Sequence, residues 1–153
     1  MRALFAALLL SFAAQAQEVV VLVRHAEKVD ESKNPKLSTA GEARAKALAA
    51  KLKDAGITSI WTSEFIRTQE TAKPLADALG LTLKVHPAKD SKGLIELLRK
   101  EGGRALVVGH SNTVGEIARM YGGKVEDLRD DEYDALLVGA AKGEGFTFVK
   151  LRQ

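Results

Sequence analysis

Apolar residues in this chain gather into short runs, and what separates the runs alternates between helical periodicity and Gly- or Pro-bearing turns. Val19 to Val23 is β-branched and apolar without alternation, the pattern of a strand buried on both faces. The polar loop "VDESKNPK" follows it. A helix is predicted from about Thr39 to Ala55, with Thr39 and Glu42 as a capping box and Gly56 as the residue that ends it. "ITSIWTS" (Ile57 to Ser63) reads as a second strand. "EFIRTQETAKPLADALG" reads as a helix that Pro74 must kink or divide. Leu81 to His86 is a third strand, and Asp90 precedes a helix over Gly93 to Lys100. Arg104 to His110 is a fourth strand, and "NTVGEIARMYGG" is a short helix closed by two glycines. Two final strands, near Ala135 to Gly139 and Phe146 to Leu151, are expected to form a hairpin.

Strands alternating with helices predict a three-layer α/β/α fold around a mostly parallel sheet. Ligands of such sheets bind beyond the carboxyl ends of the strands. Arg24 and His25 stand just past the first strand, Ser63 past the second, His86 past the third and His110 past the fourth. A single strand-end histidine is usually structural, but two in equivalent positions, one preceded by arginine, point to a site. If the first and fourth strands are neighbours, the imidazoles of His25 and His110 face each other. Arg67 falls in the first turn of a helix, where free backbone N–H groups already attract anions, and its guanidinium adds donors suited to phosphate.

Composition narrows the chemistry. The chain has 153 residues, 46% hydrophobic and 28% charged, as one globular domain requires. Its opening, "MRALFAALLLSFAAQAQ", has one early cation, an apolar run and a small-x-small Ala14-Gln15-Ala16, so residues 1–16 are expected to be an export signal and 17–153 the domain. Without Arg2 the basic residues number 22 against 20 acidic, interleaved along the chain. A nucleic-acid partner is not expected, nor a membrane once the signal is cleaved, and the location is expected to be periplasmic or secreted. There is no cysteine, hence no thiolate nucleophile and no disulfide. The histidine spacings form no metal motif, and no phosphate-binding glycine loop or serine nucleophile elbow is present, so no metal and no cofactor is expected. What remains is a cationic, anion-seeking site with a neutral nucleophile, suited to phosphoryl chemistry on a small phosphorylated substrate.

"VRHAEK", "LSTAGEARA", "SEFIRTQETA" and "VGHSNT", in that order, resemble the histidine phosphatase superfamily, also called phosphoglycerate mutase-like. The resemblance implies that His25 is the nucleophile that becomes phosphohistidine. It implies that Arg24 and Arg67 clamp the phosphate and that His110 is the second histidine contacting the phosphoryl group. Three departures stand out. Ala26 replaces the usual glycine after the histidine. The region after the third strand, "HPAKDSKGL", offers only Asp90 where the family usually brings a glutamate general acid; Asp90 is either that acid or a helix N-cap, and the cap reading is favoured. The chain also lacks the insertions that build a substrate lid in the sugar-phosphate mutases, which favours a small, open phosphatase.

Other residues keep two readings. Glu27 and Lys28 line the site mouth or are solvated. Ser63, Asn34 and Ser111 donate to phosphate or serve as turn and cap residues. Trp61 is expected in the core, and "EDLRDDEYD" is expected to be a solvated loop without chemistry. The sequence supports a metal-independent phosphatase first. A non-catalytic phosphate-binding module and a cytosolic mutase-like enzyme are the alternatives. The oligomeric state and the physiological substrate stay open at this level.

Overall fold

A computed structural model describes residues 18–153; the expected export signal, residues 1–16, lies outside them. The elements run β1 (Val19–Arg24), α1 (Thr39–Leu52), β2 (Ser59–Thr62), α2 (Ile66–Leu79), β3 (Leu83–Val85), α3 (Ser91–Glu101), β4 (Arg104–Gly109), α4 (Ser111–Met120), β5 (Ala135–Lys142) and β6 (Gly145–Arg152). The strands form one sheet in the order β3-β2-β4-β1-β5-β6. β3, β2, β4 and β1 are mutually parallel, while β5 runs antiparallel to β1 and pairs with β6 in the expected hairpin.

The unbroken apolar run of β1 has a simple cause. Val20 and Leu22 pack on one face of the sheet with Leu94, Ile95 and Leu98 of α3 and Val114, Ile117 and Ala118 of α4. Val21 and Val23 pack on the other with Leu48 and Leu52 of α1 and Leu75 and Ala76 of α2. Successive strand residues point to opposite faces, so a strand covered on both sides needs apolar residues at every position. The three-layer expectation therefore holds.

Several local expectations shift. Ser38, not Thr39, caps α1, its hydroxyl accepting from the Gly41 N–H at 3.1 Å. Glu42 then lies in the first turn rather than closing a capping box, and α1 ends at Leu52 rather than Ala55. Gly41 is required where it stands, because a Cβ there would lie 2.2 Å from the Glu27 carbonyl oxygen. Pro74 does not divide α2, which runs through it as one helix of 14 residues. Its buried neighbours Thr71, Ala72, Leu75 and Ala76 are committed to the core. That burial outweighs the local cost of about 3 kcal/mol that a mid-helix proline carries.

Candidate active site

The register of the two central strands builds the floor of the site. Arg24 lies opposite Gly109 in the parallel β1–β4 pair, and the His25 N–H donates to the Gly109 carbonyl at 2.9 Å. His25 and His110 therefore leave adjacent strands at the same level, and their ring centroids are 5.4 Å apart at 63°. Arg67 reaches the same place from the first turn of α2, beyond β2. Arg24, His25, Arg67 and His110 line one open cleft of about 430 Å³. Lys28, Lys89 and Ser111 also line it. None of the described residues that line it is a carboxylate.

Asp90 is not among those lining residues. It caps α3, its Oδ1 accepting from the Gly93 N–H at 3.0 Å, while its Oδ2 lies 3.1 Å from His86 Nε2. The cap reading thus describes its geometry.

The tautomer of His25 follows from the hydrogen bond its ring makes among the described residues. Nδ1 lies 2.8 Å from the Ala26 carbonyl oxygen. A carbonyl can only accept, so Nδ1 carries the proton and Nε2 keeps its lone pair. His25 is 3% exposed. Burial first, and then the charges of Arg24, His110 and Arg67, together lower its pKa to about 3 against the pull of the Ala26 carbonyl. Burial, more than the arginines, keeps this imidazole neutral.

His110 is held by a chain of polar groups. Its Nδ1 lies 3.4 Å from Arg67 Nη2, and a guanidinium only donates, so Nδ1 accepts. Nε2 then donates to Ser63 Oγ at 2.9 Å. Ser63 passes the direction on to Thr68 Oγ1 at 2.9 Å, and Thr68 donates to the Phe65 carbonyl at 2.8 Å. Burial, then Arg67, lowers the His110 pKa to about 4. The Phe65 ring meets His110 edge-on at 5.3 Å and carries the Arg67 guanidinium 4.4 Å from its centroid.

The other wall comes from the segment between α4 and β5. Arg24 Nη1 donates to the carbonyls of Arg129 (3.1 Å) and Asp130 (2.5 Å). Its guanidinium lies 4.2 Å from the Tyr133 ring centroid, and that ring is 6.1 Å from His25. The stretch "EDLRDDEYD" is therefore more than a solvated loop. Its acidic composition hides two carbonyl acceptors and an aromatic platform, and one of the chain's two tyrosines inside an acidic run was the available signal. The Nε atoms of Arg24 and Arg67 are both buried without a partner among the described residues. Burial and the neighbouring Arg24 both disfavour the charge on Arg67. An anion between the two guanidiniums would satisfy the donors and relieve the repulsion.

The remaining candidates divide. Ser63 supports His110. Asn34 accepts from the Ile66 N–H at 2.9 Å and so caps α2 from the β1–α1 loop. Ser111 lines the cleft, its hydroxyl 3.5 Å from Asp130 Oδ1. Glu27 turns away to Arg44, which holds both its oxygens with Nε at 2.9 Å and lowers its pKa. Lys28 lines the cleft while pairing with Glu31. Trp61 is buried in the core beneath α3 and α4, as expected. Among the described residues no group of three or more His, Cys, Asp or Glu is placed to hold a metal ion, and no helix is long and apolar enough to cross a membrane.

With this geometry in view, the likenesses to known proteins are informative. Residues 20–96 match the model of the histidine phosphatase superfamily (branch 1). A protein of Yersinia enterocolitica named "Probable phosphoglycerate mutase GpmB" is 42% identical over 76 residues, which cover 44% of this chain and 35% of the relative. The match thus spans about a third of the curated relative's length. Among solved structures, the protein histidine phosphatase SixA complexed with tungstate superposes with a TM-score of 0.71 at 20% identity, covering 88% of this chain and 96% of that one. The alpha-ribazole phosphatase from Shigella flexneri gives 0.70 at 15% identity, covering 88% and 96%. At such identities the structural matches establish the fold.

Proposed function

The chain belongs to the histidine phosphatase superfamily, and from that premise we propose that it is a metal-independent phosphatase that forms a covalent phosphohistidine at His25. One observation carries the reading. A buried, neutral imidazole with a free Nε2 lone pair stands beside two guanidiniums whose buried Nε donors have no partner among the described residues.

The chemistry follows from that arrangement. Arg24 and Arg67 bind the phosphoryl oxygens and bring the phosphorus to Nε2 of His25. Nε2 forms the N–P bond as the bond to the leaving oxygen breaks. The Ala26 carbonyl, accepting from Nδ1, stabilises the positive charge that develops on the ring. The arginines and His110 meet charge on the equatorial oxygens. Water then attacks the phosphorus, releasing inorganic phosphate and neutral His25. The leaving group takes its proton from solvent, because none of the described residues lining the cleft is a carboxylate. That favours phosphohistidine, acyl phosphates and other good leaving groups over alkyl phosphates. A phosphatase is favoured over a mutase by the open cleft, which lets water reach the phosphoenzyme.

The first 16 residues fit an export signal, so we place the enzyme in the periplasm or outside the cell. Mass spectrometry of the protein from its host tests this: a start near Gln17 supports export, and an intact Met1 or its direct neighbour refutes cleavage.

The central test pairs wild type with His25→Ala on p-nitrophenyl phosphate, acetyl phosphate and phosphohistidine. Loss of at least about 10³-fold in kcat, with ³²P label on wild type only, is expected. Equal activity of the two proteins on every substrate ends the enzyme reading. Anion binding without labelling moves the protein to the class of phosphate-binding modules.

A further inference from the structure

The cleft holds more positive charge than one phosphoryl group needs. Besides Arg24 and Arg67 it is lined by Lys28, from the β1–α1 loop, and Lys89, from the β3–α3 loop. Every formally charged side chain among its described lining residues is cationic. The carboxylates nearby are otherwise engaged or outside. Glu31 holds Lys28 Nζ at 2.6 Å but is 88% exposed. With its carboxylate partner in solvent and the Lys28 side chain 19% exposed, the pair is worth about 1 kcal/mol. Glu64 feels the charges of His110 and Lys89, yet its Oε2 is taken by the Ala88 N–H at 2.8 Å. Lys89 makes no hydrogen bond or ion pair to any described residue.

Two facts then converge. The cleft offers two ammonium groups beyond the arginine pair, and none of its described lining residues is a carboxylic acid to protonate a leaving alkoxide. A leaving group that is itself a phosphate answers both. Its oxygen titrates near 6, so it departs without a proton, and its charge needs cations. Resting on the phosphatase reading above, we propose that the substrate is a phosphoanhydride, with Lys28 and Lys89 binding the phosphate on the leaving side. Nε2 of His25 forms its bond to the terminal phosphorus. The bond from that phosphorus to the bridging oxygen breaks, and the electron pair leaves on the departing phosphate. Water then cleaves the phosphohistidine, giving inorganic phosphate and one proton to solvent.

The test measures kcat/KM for ADP, AMP, inorganic pyrophosphate and p-nitrophenyl phosphate without divalent cations, which would compete for the diphosphate. It uses wild type, Lys28→Ala, Lys89→Ala and the double variant. Wild type is expected to favour ADP over AMP by at least about tenfold. Each single variant should cut that ratio about threefold to fivefold, and the double variant should bring it near one. A wild-type ratio of one or less, or a ratio that both variants leave in place, overturns the proposal. Pyrophosphate turned over faster than ADP supports a free diphosphate, and the reverse supports a nucleoside diphosphate. Should p-nitrophenyl phosphate be hydrolysed in a His25-dependent manner with a flat ADP/AMP ratio, the anhydride preference falls and the phosphatase reading stands. Calorimetry on His25→Ala reads the lysines apart from turnover: ADP should bind about tenfold more tightly than AMP, and equal affinity overturns the proposal.

Discussion

The two walls of the cleft are made in different ways. The histidine side rests on parallel strand register and on side chains that act through their own functional groups: His25, His110, Arg67 and the Ser63–Thr68 chain behind them. The Tyr133 side is a segment without strand or helix, and it acts through backbone carbonyls and a stacked ring that hold Arg24. The first wall is rigid because the sheet is rigid. The second is rigid only as far as the chain between α4 and β5 is tied down. Glu132, 5% exposed, ties it by pairing with Lys150 and Arg152 of β6.

The sharpest way to break that comparison is to remove one side chain from each wall. Arg67→Ala takes away a phosphate donor and the partner of His110 Nδ1 together, and should lower kcat/KM by about 10²–10³-fold. Tyr133→Ala leaves Arg24 in place with its two carbonyl acceptors but removes the ring beneath it. Cation–π contacts of this kind are worth about 0.5–2 kcal/mol, so a loss of roughly tenfold is expected. Steady-state kinetics on p-nitrophenyl phosphate reads both. If Tyr133→Ala costs as much as Arg67→Ala, the second wall holds more than Arg24's orientation.

The difference between the walls also explains what could be read from the chain. The first wall was legible because its residues carry rare functional groups at the ends of recognisable strands. The run from Val19 to Val23 predicts burial on both faces, and the change to arginine and histidine marks its carboxyl end. The second wall was hardly legible, because two of the groups that hold Arg24 are the carbonyls of Arg129 and Asp130, which any residue type would supply, and Tyr133 alone marked it in the sequence. The helix boundaries shifted for a similar reason. Ser38 and Thr39 are both good caps by type, and the choice is made by the close approach of Gly41 to the Glu27 carbonyl, a tertiary contact. Pro74 does not divide α2, because the burial on either side of it, which the local pattern does not carry, outweighs its local cost. The cap at Asp90 was legible because capping is local, three residues from acceptor to donor.

The histidine wall has a pH signature set by two imidazoles, whereas that of the Tyr133 wall comes from the lowered carboxyls of Asp131 and Glu132. His25 and His110 have their pKa values lowered to about 3 and about 4 from an ordinary value near 6.5. In that window the unfolded chain binds protons that the folded chain does not, so folding stability rises with pH between about 4 and 6.5 and is lost as pH falls. The acid limb of kcat/KM for the free enzyme should accordingly fall near pH 3–4 rather than near 6.5. A pH–rate profile with a substrate whose own ionisation lies outside this range measures it. A limb at 6.5 would mean that His25 is protonated far more easily than its burial implies.

The smallest effects concern the ties that hold the loops. Glu132→Gln keeps the shape of the side chain and discards its charge. Its cationic partners, Lys150 and Arg152, are substantially exposed and can return to water, so the substitution strands no buried cation. The expected loss is about 1 kcal/mol of stability, seen as a drop of a few degrees in Tm. The functional consequence should follow the geometry: loosening the segment that supplies the Arg129 and Asp130 carbonyls weakens the hold on Arg24, raising KM more than it lowers kcat. Asp90→Ala is the matched control on the opposite side of the cleft. It removes the α3 cap, also worth about 1 kcal/mol, from a loop that carries Lys89 but touches neither histidine nor arginine of the floor. Equal Tm losses with a KM increase for p-nitrophenyl phosphate only in Glu132→Gln would show that the Tyr133 wall transmits its stability to Arg24. Equal KM changes in both variants would assign them to general loosening of the fold.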